Sequence, residues 1–263
     1  MKLGFIGAGN MAQAMIGGVL GSGLLQKDDI IASAATQNTI EKVQKQYGIR
    51  TTLNNREAAG ADIVFLAVKP AYCGQVIEEI KDTVSEQQVI VSIAAGKTMA
   101  WLEEKFGGKR KIIRTMPNTP ALVGEGITAV CPNDNINAEE LQSVCKILES
   151  FGRAEVIQES MMDAVIAVSG SSPAYVFLFI EAMADAAVAE GMPRATAYQF
   201  AAQSVLGSAR MVLETGKHPG ELKDMVCSPA GTTIEAVRVL EREGLRGSVM
   251  ECMRACADKS RNM

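Results

Sequence analysis

Apolar and polar positions along the chain fall into two regimes. Up to residue 157, short apolar runs alternate with stretches of helical periodicity. Leu3–Ile6, Ile30–Ser33, Ile63–Val68, Val89–Ile93, Lys111–Arg114, Ile127–Cys131 and Ala154–Ile157 read as strands. Thr39–Tyr47, Tyr72–Ile80, Met99–Phe106 and Ala138–Phe151 read as helices between them. The run Ile63–Val68 is apolar throughout, as in a strand covered on both faces. Strands alternating with helices in short units predict a doubly wound parallel sheet. Beyond residue 157 the strand signal all but vanishes. Ser172–Glu190, Arg194–Thr215, Thr232–Glu241 and Leu245–Arg261 are rich in Ala, Met and Leu at helical spacing. Gly191-Met-Pro193 and Gly216-Lys-His-Pro-Gly220 break the helices. The expected organisation is an α/β domain over residues 1–157 followed by an all-helical domain over residues 158–263.

The first strand runs into Gly7-Ala8-Gly9-Asn10-Met11-Ala12, and a helical run, Gln13–Leu20, follows. This is a dinucleotide fingerprint, G-x-G-x-x-A, at the first strand-to-helix turn. Gly7 permits the turn, Gly9 lets the backbone approach a pyrophosphate, and Ala12 lets helix and strand pack closely. The helix start supplies amides and positive dipole for the phosphates. The first domain is therefore expected to be a Rossmann domain, with Ile6 to Met11 at the cofactor. A glycine-rich turn that serves packing alone has the same letters.

In NAD-binding versions an acid closes the second strand and holds the ribose 2′-hydroxyl. Here Ile30-Ile-Ala-Ser33-Ala-Ala-Thr36-Gln37 contains none, and the next acid is Glu41. Ser33, Thr36 and Gln37 offer small polar groups where a 2′-phosphate would sit. That favours NADP, with NAD as the alternative, recognised by neutral donors rather than an arginine. Other ligand positions are expected at later strand ends. These are Ala67-Val68-Lys69-Pro70, Ser92-Ile-Ala94-Ala-Gly96 and Arg114-Thr-Met116-Pro117-Asn118-Thr-Pro120. A solvated Lys69 beside a turn fits the same residues.

Hydrophobic residues make up 48% of the 263 residues and charged residues 21%, so a sizeable core is expected and disorder is not. Net charge is −4, with no basic stripe, which argues against a nucleic-acid partner. Leu3–Gln26 carries no charge, but its glycines with Asn10 and Gln13 interrupt any signal-like apolar run. The most apolar later stretch, Ala164–Ile180, contains Gly170 and Pro173 and ends at Glu181. It is expected to be a buried helix rather than a membrane span. Six cysteines and a single histidine suit reduced thiols in a cytoplasmic protein. Cys252 and Cys256 stand i, i+4 without a second ligand pair, so no metal is expected. One histidine also precludes a His-based triad with any redundancy, and His218 before Pro219 reads as a loop residue.

Ser228-Pro229-Ala230-Gly231-Thr232-Thr233 reads as a second helix start, with hydroxyls on its first turn. Free amides there make an anion site, although an ordinary N-cap uses the same residues. Ser169-Gly-Ser-Ser172-Pro173-Ala-Tyr175 is a similar junction. Glu181 and Asp185 share a helix face, where contact with another subunit's polar groups is expected over acid–base work.

Gly7–Ala12, Ala67–Pro70, Met116–Pro120, Ser171–Tyr175 with Glu181, His218-Pro-Gly and Leu222-Lys-Asp-Met-Val-Cys-Ser-Pro-Ala-Gly-Thr-Thr233 together resemble the pyrroline-5-carboxylate reductase family. The resemblance covers essentially the whole chain, in order. Two residues depart from it: Ser172 and Ala230 stand where glycines are usual. The resemblance implies reduction of the cyclic imine 1-pyrroline-5-carboxylate to L-proline with NADPH or NADH, the last step of proline synthesis. It implies a homodimer with interlocked helical domains, possibly a decamer, and no membrane partner. The site would lie between one subunit's Rossmann domain and the paired helical domains. Asn54, Ala67, Val68, Lys69, Pro70, Met116, Pro117 and Asn118 would touch the cofactor. Amides from Ser228 through Ala230, Gly231, Thr232 and Thr233 would hold the substrate carboxylate, with the Thr233 hydroxyl as the catalytic group near the ring nitrogen.

A protonated imine is already electrophilic, so the chemistry needs orientation and dryness rather than a general base. A β-hydroxyacid dehydrogenase of similar layout would need a lysine or histidine base on a central helix. Lys217 and Lys223 are not on one. A non-catalytic NADP(H)-binding regulator would have no use for the Ser228–Thr233 motif.

Overall fold

A computed structural model describes residues 1–262. Eight strands form one sheet: β1 (Leu3–Ile6), β2 (Ile30–Ser33), β3 (Arg50–Thr52), β4 (Ile63–Leu66), β5 (Val89–Ser92), β6 (Lys111–Met116), β7 (Gly126–Pro132) and β8 (Gly152–Val156). Their order is β3-β2-β1-β4-β5-β6-β7-β8. β3 through β6 run parallel, whereas β7 is antiparallel to β6 and parallel to β8. The sheet is thus mostly rather than wholly parallel, which corrects the expectation at one edge. The link from β6 to β7 holds only a short 3₁₀ turn, Thr119–Val123. A parallel return needs a crossover of about a dozen residues or more, and this link is too short for one.

Helices α1 (Asn10–Gly21), α2 (Gln37–Tyr47), α3 (Asn55–Ala58), α4 (Cys73–Ile80), α5 (Met99–Phe106) and α6 (Ala138–Glu149) connect the strands. Strand residues alternate between two apolar layers. Phe5, Phe65, Val91, Ile113 and Val130 meet Met15, Val19, Val144, Ile147 and Phe151 on one face. Ile6, Val64, Leu66, Ile90 and Ile112 meet Ile77, Ile80, Leu102 and Phe106 on the other. Phe5 and Phe65 stack with ring centroids 4.8 Å apart. Both faces are covered, which is why β4 is apolar at every position.

After β8 come α7 (Met162–Val165) and a π-helical turn, Ile166–Gly170. The chain divides into two compact units, Met1–Gly170 with Cys256–Met263, and Ser171–Ala255. The boundary expected after residue 157 lies earlier than this division. Residues 159–170 are fastened to the first unit at several points. Glu159 Oε1 accepts from the Arg114 guanidinium and from the Met99 amide, both at 2.6 Å. Met162 and Ile166 enter the second apolar layer. Asp163 Oδ1 accepts from Ser260 Oγ at 2.6 Å, and Cys256 packs on the same layer.

The second unit contains α8 (Ser172–Ala189), α9 (Arg194–Thr215), α10 (Pro219–Val226), α11 (Thr232–Arg242) and most of α12 (Leu245–Arg261). Its buried apolar residues are Ala184, Ala197 and Ala201, with Ile180, Met183 and Val188 packed around them. Asp185 pairs with Arg194, whose guanidinium lies 5.6 Å from the Tyr198 ring centroid. The expectation of a buried helix over Ala164–Ile180 fails for its second half. Phe177 and Leu178 are 64% and 65% exposed. By length and composition alone, Glu159–Ala189 is apolar enough to cross a membrane.

Candidate active site

Strand register builds one candidate site at the sheet edge. Ile6 pairs with Ser33 and Leu66, Leu66 with Ser92, and Ser92 with Arg114. The residues one or two steps beyond are therefore brought to one carboxyl edge: Gly7, Ala34, Ala67, Ala94 and Met116. Ligands of an open α/β sheet bind at such an edge.

Gly7 has φ +95°, and a Cβ there would stand 2.6 Å from the Ala67 carbonyl oxygen. Only glycine fits both demands. Gly9 differs: its backbone is ordinary, and a Cβ would meet nothing within 4 Å. The space over Gly9 is open, as a cofactor cradle requires. Gly9 is also the N-cap of α1, and no side chain caps the helix and no acid lies in its first turn. Asn10, Met11 and Ala12 thus begin a helix whose first amides face no competing charge. Ile6 and Ala8 are buried and fix this turn from below.

Beside it lies a cleft of about 340 Å³ lined by Gly7, Ala34, Ala35, Leu53, Asn55, Val68, Tyr72, Val76 and Glu79, among others. Its apolar walls suit a flat aromatic ring, and Leu53 and Tyr72 are left 56% and 58% exposed at it. No acid follows β2. Thr36 caps α2 by accepting from the Thr39 amide at 3.3 Å, and the first turn of α2 carries no acid. Turn and cleft fit a dinucleotide, and no acid stands at the end of β2.

Several expected contacts are already committed elsewhere. Ser33 is fully buried, and its hydroxyl donates to Asn55 Oδ1 at 2.7 Å. Asn54 caps α3, accepting from the Arg56 amide at 3.0 Å. Asn118 is buried; its Oδ1 accepts from the Ile127 amide at 2.9 Å and its Nδ2 donates to the Ser169 carbonyl at 3.1 Å. Asn118 therefore positions the loop after β6 and leaves contact to the neighbouring backbone and to Met116 and Pro117. Lys69 is exposed at the start of the Pro70–Tyr72 turn, and Ala67, Val68 and Pro70 are half-buried beside it. Asn55, Leu53, Tyr72 and Glu79 were not anticipated. Position past the end of β3 would have signalled Leu53 and Asn55, but not Tyr72 or Glu79.

Burial pushes the Cys73 and Cys131 thiols up, with Glu159 adding to the rise at Cys131. The Arg114 guanidinium is spent on Glu159.

A second candidate binding feature lies within the helical unit. The Gly231 amide donates to the Ser228 carbonyl at 3.1 Å, closing a turn over Pro229 and Ala230. Gly231 is the N-cap of α11, again with no side-chain cap. A Cβ on Gly231 would collide with Ser228 Oγ. Thr232 and Thr233 are the first two residues of α11, Thr233 half-buried. His218 is not a simple loop residue: its Nδ1 accepts from the Gly220 amide at 3.0 Å and caps α10.

Comparison with known proteins converges. A family model described as pyrroline-5-carboxylate reductase dimerisation matches residues 159–263, and one described as NADP oxidoreductase, coenzyme F420-dependent, matches residues 2–96. The pyrroline-5-carboxylate reductase of Escherichia coli K12 is 53% identical over 263 residues, covering 100% of this chain and 98% of that protein. The crystal structure of the Plasmodium falciparum pyrroline carboxylate reductase with NADP bound superposes with a TM-score of 0.91 at 35% identity, covering 100% of this chain and 97% of the other. The Coxiella burnetii pyrroline-5-carboxylate reductase gives 0.92 at 35% identity, covering 98% and 96%.

Proposed function

The chain belongs to the pyrroline-5-carboxylate reductase family and reduces 1-pyrroline-5-carboxylate to L-proline, and we propose that NADPH is its preferred donor. The observation that supports this preference is the acid-free end of β2 beside the first turn of α2, which also carries no acid. In this reading the α1 amides at Asn10 to Ala12 hold the pyrophosphate and the apolar cleft takes the adenine. Thr36, Gln37 and the backbone at Ala34 and Ala35 meet the 2′-phosphate. Ser33 contributes its backbone, since its hydroxyl is bound to Asn55. The loops at Ala67–Pro70, Ala94 and Met116–Asn118 border the nicotinamide, which supplies the hydride.

The Ser228–Thr233 turn orients the substrate. Amides at the start of α11 bind the carboxylate, and the Thr233 hydroxyl directs the ring nitrogen. The imine carbon gains a hydride and its C=N π pair moves to nitrogen, which already carries its proton. No side chain has to titrate during the step, which suits a site without a free histidine or buried carboxylate at the strand ends. The helical unit supports self-association into a homodimer, a decamer being one further assembly of it, in a cytoplasmic setting.

Steady-state kinetics with 1-pyrroline-5-carboxylate tests the donor. KM for NADPH should lie below that for NADH. Ala35→Asp, at the exposed rim of the cleft, should reverse the order by repelling the 2′-phosphate. Unchanged NADPH affinity in that variant would place the phosphate elsewhere.

A further inference from the structure

We infer that Ala230 sets the affinity for the substrate carboxylate, by placing a side chain at the left-handed position of the turn that presents the α11 amides. The inference rests on the role given to that turn above. Ala230 has φ +56° and is the one non-glycine residue at positive φ among the described residues. Pro229 precedes it, with a ring that holds φ near about −65°. Proline second and positive φ third is the pattern of a type II turn, whose third position asks for glycine. The turn is tight, since a Cβ on Gly231 would stand 3.1 Å from the Ser228 carbonyl oxygen and closer still to its hydroxyl. Ser228, Pro229 and Ala230 are all exposed, so no packing over the turn compensates.

An L-residue with a Cβ is disfavoured at this φ by roughly tenfold relative to glycine, or about 1.4 kcal/mol. The binding-ready turn is then a reduced fraction of the ensemble, and apparent affinity falls by that fraction. Once substrate is bound the turn is the same as a glycine turn would be, so the chemical step is unaffected. The cofactor site belongs to the other unit and does not sense the change.

The test compares Ala230→Gly and Ala230→Asn in the full-length enzyme, Asn being the non-glycine residue most tolerant of this backbone. With NADPH saturating, KM for the imine should fall about three- to tenfold in the glycine variant. It should fall less, but measurably, in the asparagine variant. The inhibition constant of L-proline should drop in parallel, with kcat and the KM for NADPH within about twofold of wild type. An unchanged or raised imine KM in Ala230→Gly overturns the inference. So does a gain with glycine and a loss with asparagine, which would point to general loop flexibility. Thr233→Ala separates the levels. If it impairs imine reduction while Ala230→Gly changes nothing, only this inference fails. If neither variant changes imine kinetics or the inhibition constant of L-proline, the substrate role given to the whole turn fails.

Discussion

The two units solve the problem of covering apolar surface in opposite ways. The dinucleotide unit interposes a sheet between two helical layers, and Phe5, Phe65, Phe151 and Leu66 are fully enclosed. The helical unit encloses three alanines and leaves Phe177, Leu178, Phe200, Leu213, Met225 and Val226 more than 60% exposed. So many large apolar side chains left exposed on one small unit point to a surface that meets a partner. Obligate dimer interfaces resemble a core cut in half. The contrast teaches that the first unit is stabilised by its own chain, whereas the second is completed by a copy of itself.

The most damaging way to break this contrast is to charge the exposed face. Leu178→Glu combined with Leu213→Glu should dissociate the protein and lower activity at least about a hundredfold, because a carboxylate buried without a partner costs roughly 3–5 kcal/mol. NADPH binding, followed by fluorescence titration, should survive. An active monomer in sedimentation velocity would show that the helical unit needs no second copy.

Gly7 and Gly9 sharpen the picture within the first unit. Gly7→Ala meets both a positive φ and the Ala67 carbonyl, and should destabilise the fold by about 2–4 kcal/mol in urea titrations. Gly9→Ala has room for its methyl group and should leave the unfolding midpoint unchanged. Its NADPH KM should nevertheless rise about tenfold. Equal stability of the two variants would refute the distinction.

In the second unit, Thr233→Ala should lower kcat/KM for the imine about ten- to a hundredfold, the scale of a hydrogen bond worth ~1.5–3 kcal/mol. NADPH binding should remain intact. A loss of activity that tracks a loss of dimer would return Thr233 to a capping role.

The smallest expected effect concerns acid. Burial tends to raise the Glu140 carboxyl, but Lys111 at 2.6 Å and the Asn137 amide outweigh it and hold it below the usual range. A depressed carboxyl stabilises the fold above its unfolded value, about 4.3, and that contribution disappears as pH falls through the folded value. Glu140→Gln should cost about 0.5–1 kcal/mol near neutrality and flatten the acid limb of the stability curve. That loss should not depend on protein concentration, since it belongs to the self-sufficient unit.

Sequence pattern exposed the strands with apolar runs and the helices with strong periodicity, and β1, β2, α5 and α9 lie where expected. β3 was invisible because Arg50-Thr-Thr52 has no apolar run and borders the sheet at one edge. The reversal of β7 was legible in principle, from the short link after β6. α10 escaped because His218-Pro-Gly reads as a break, although proline at the first helical position is a start signal. At the site, the glycine turn and the Ser228–Thr233 motif were readable because backbone needs dictate their residues. The inward commitment of Ser33 and Asn118 was not, since hydrogen-bond partners distant in sequence decide where a polar side chain turns.

The clasp between Asp163 and Ser260 has a consequence for biogenesis. The helical unit is spliced into the dinucleotide unit, which reclaims the chain at Cys256. Domains are made N-terminal end first, at roughly 5–20 residues per second. During translation the sheet and the buried members of both its layers can assemble early, and only the contact of Cys256 and the bond to Ser260 wait for the last turns of α12 to leave the ribosome. Every helix destined for another copy is therefore synthesised before its own scaffold is fastened. A premature stop shortly before residue 256 would leave Asp163 without its Ser260 partner and the second apolar layer without Cys256.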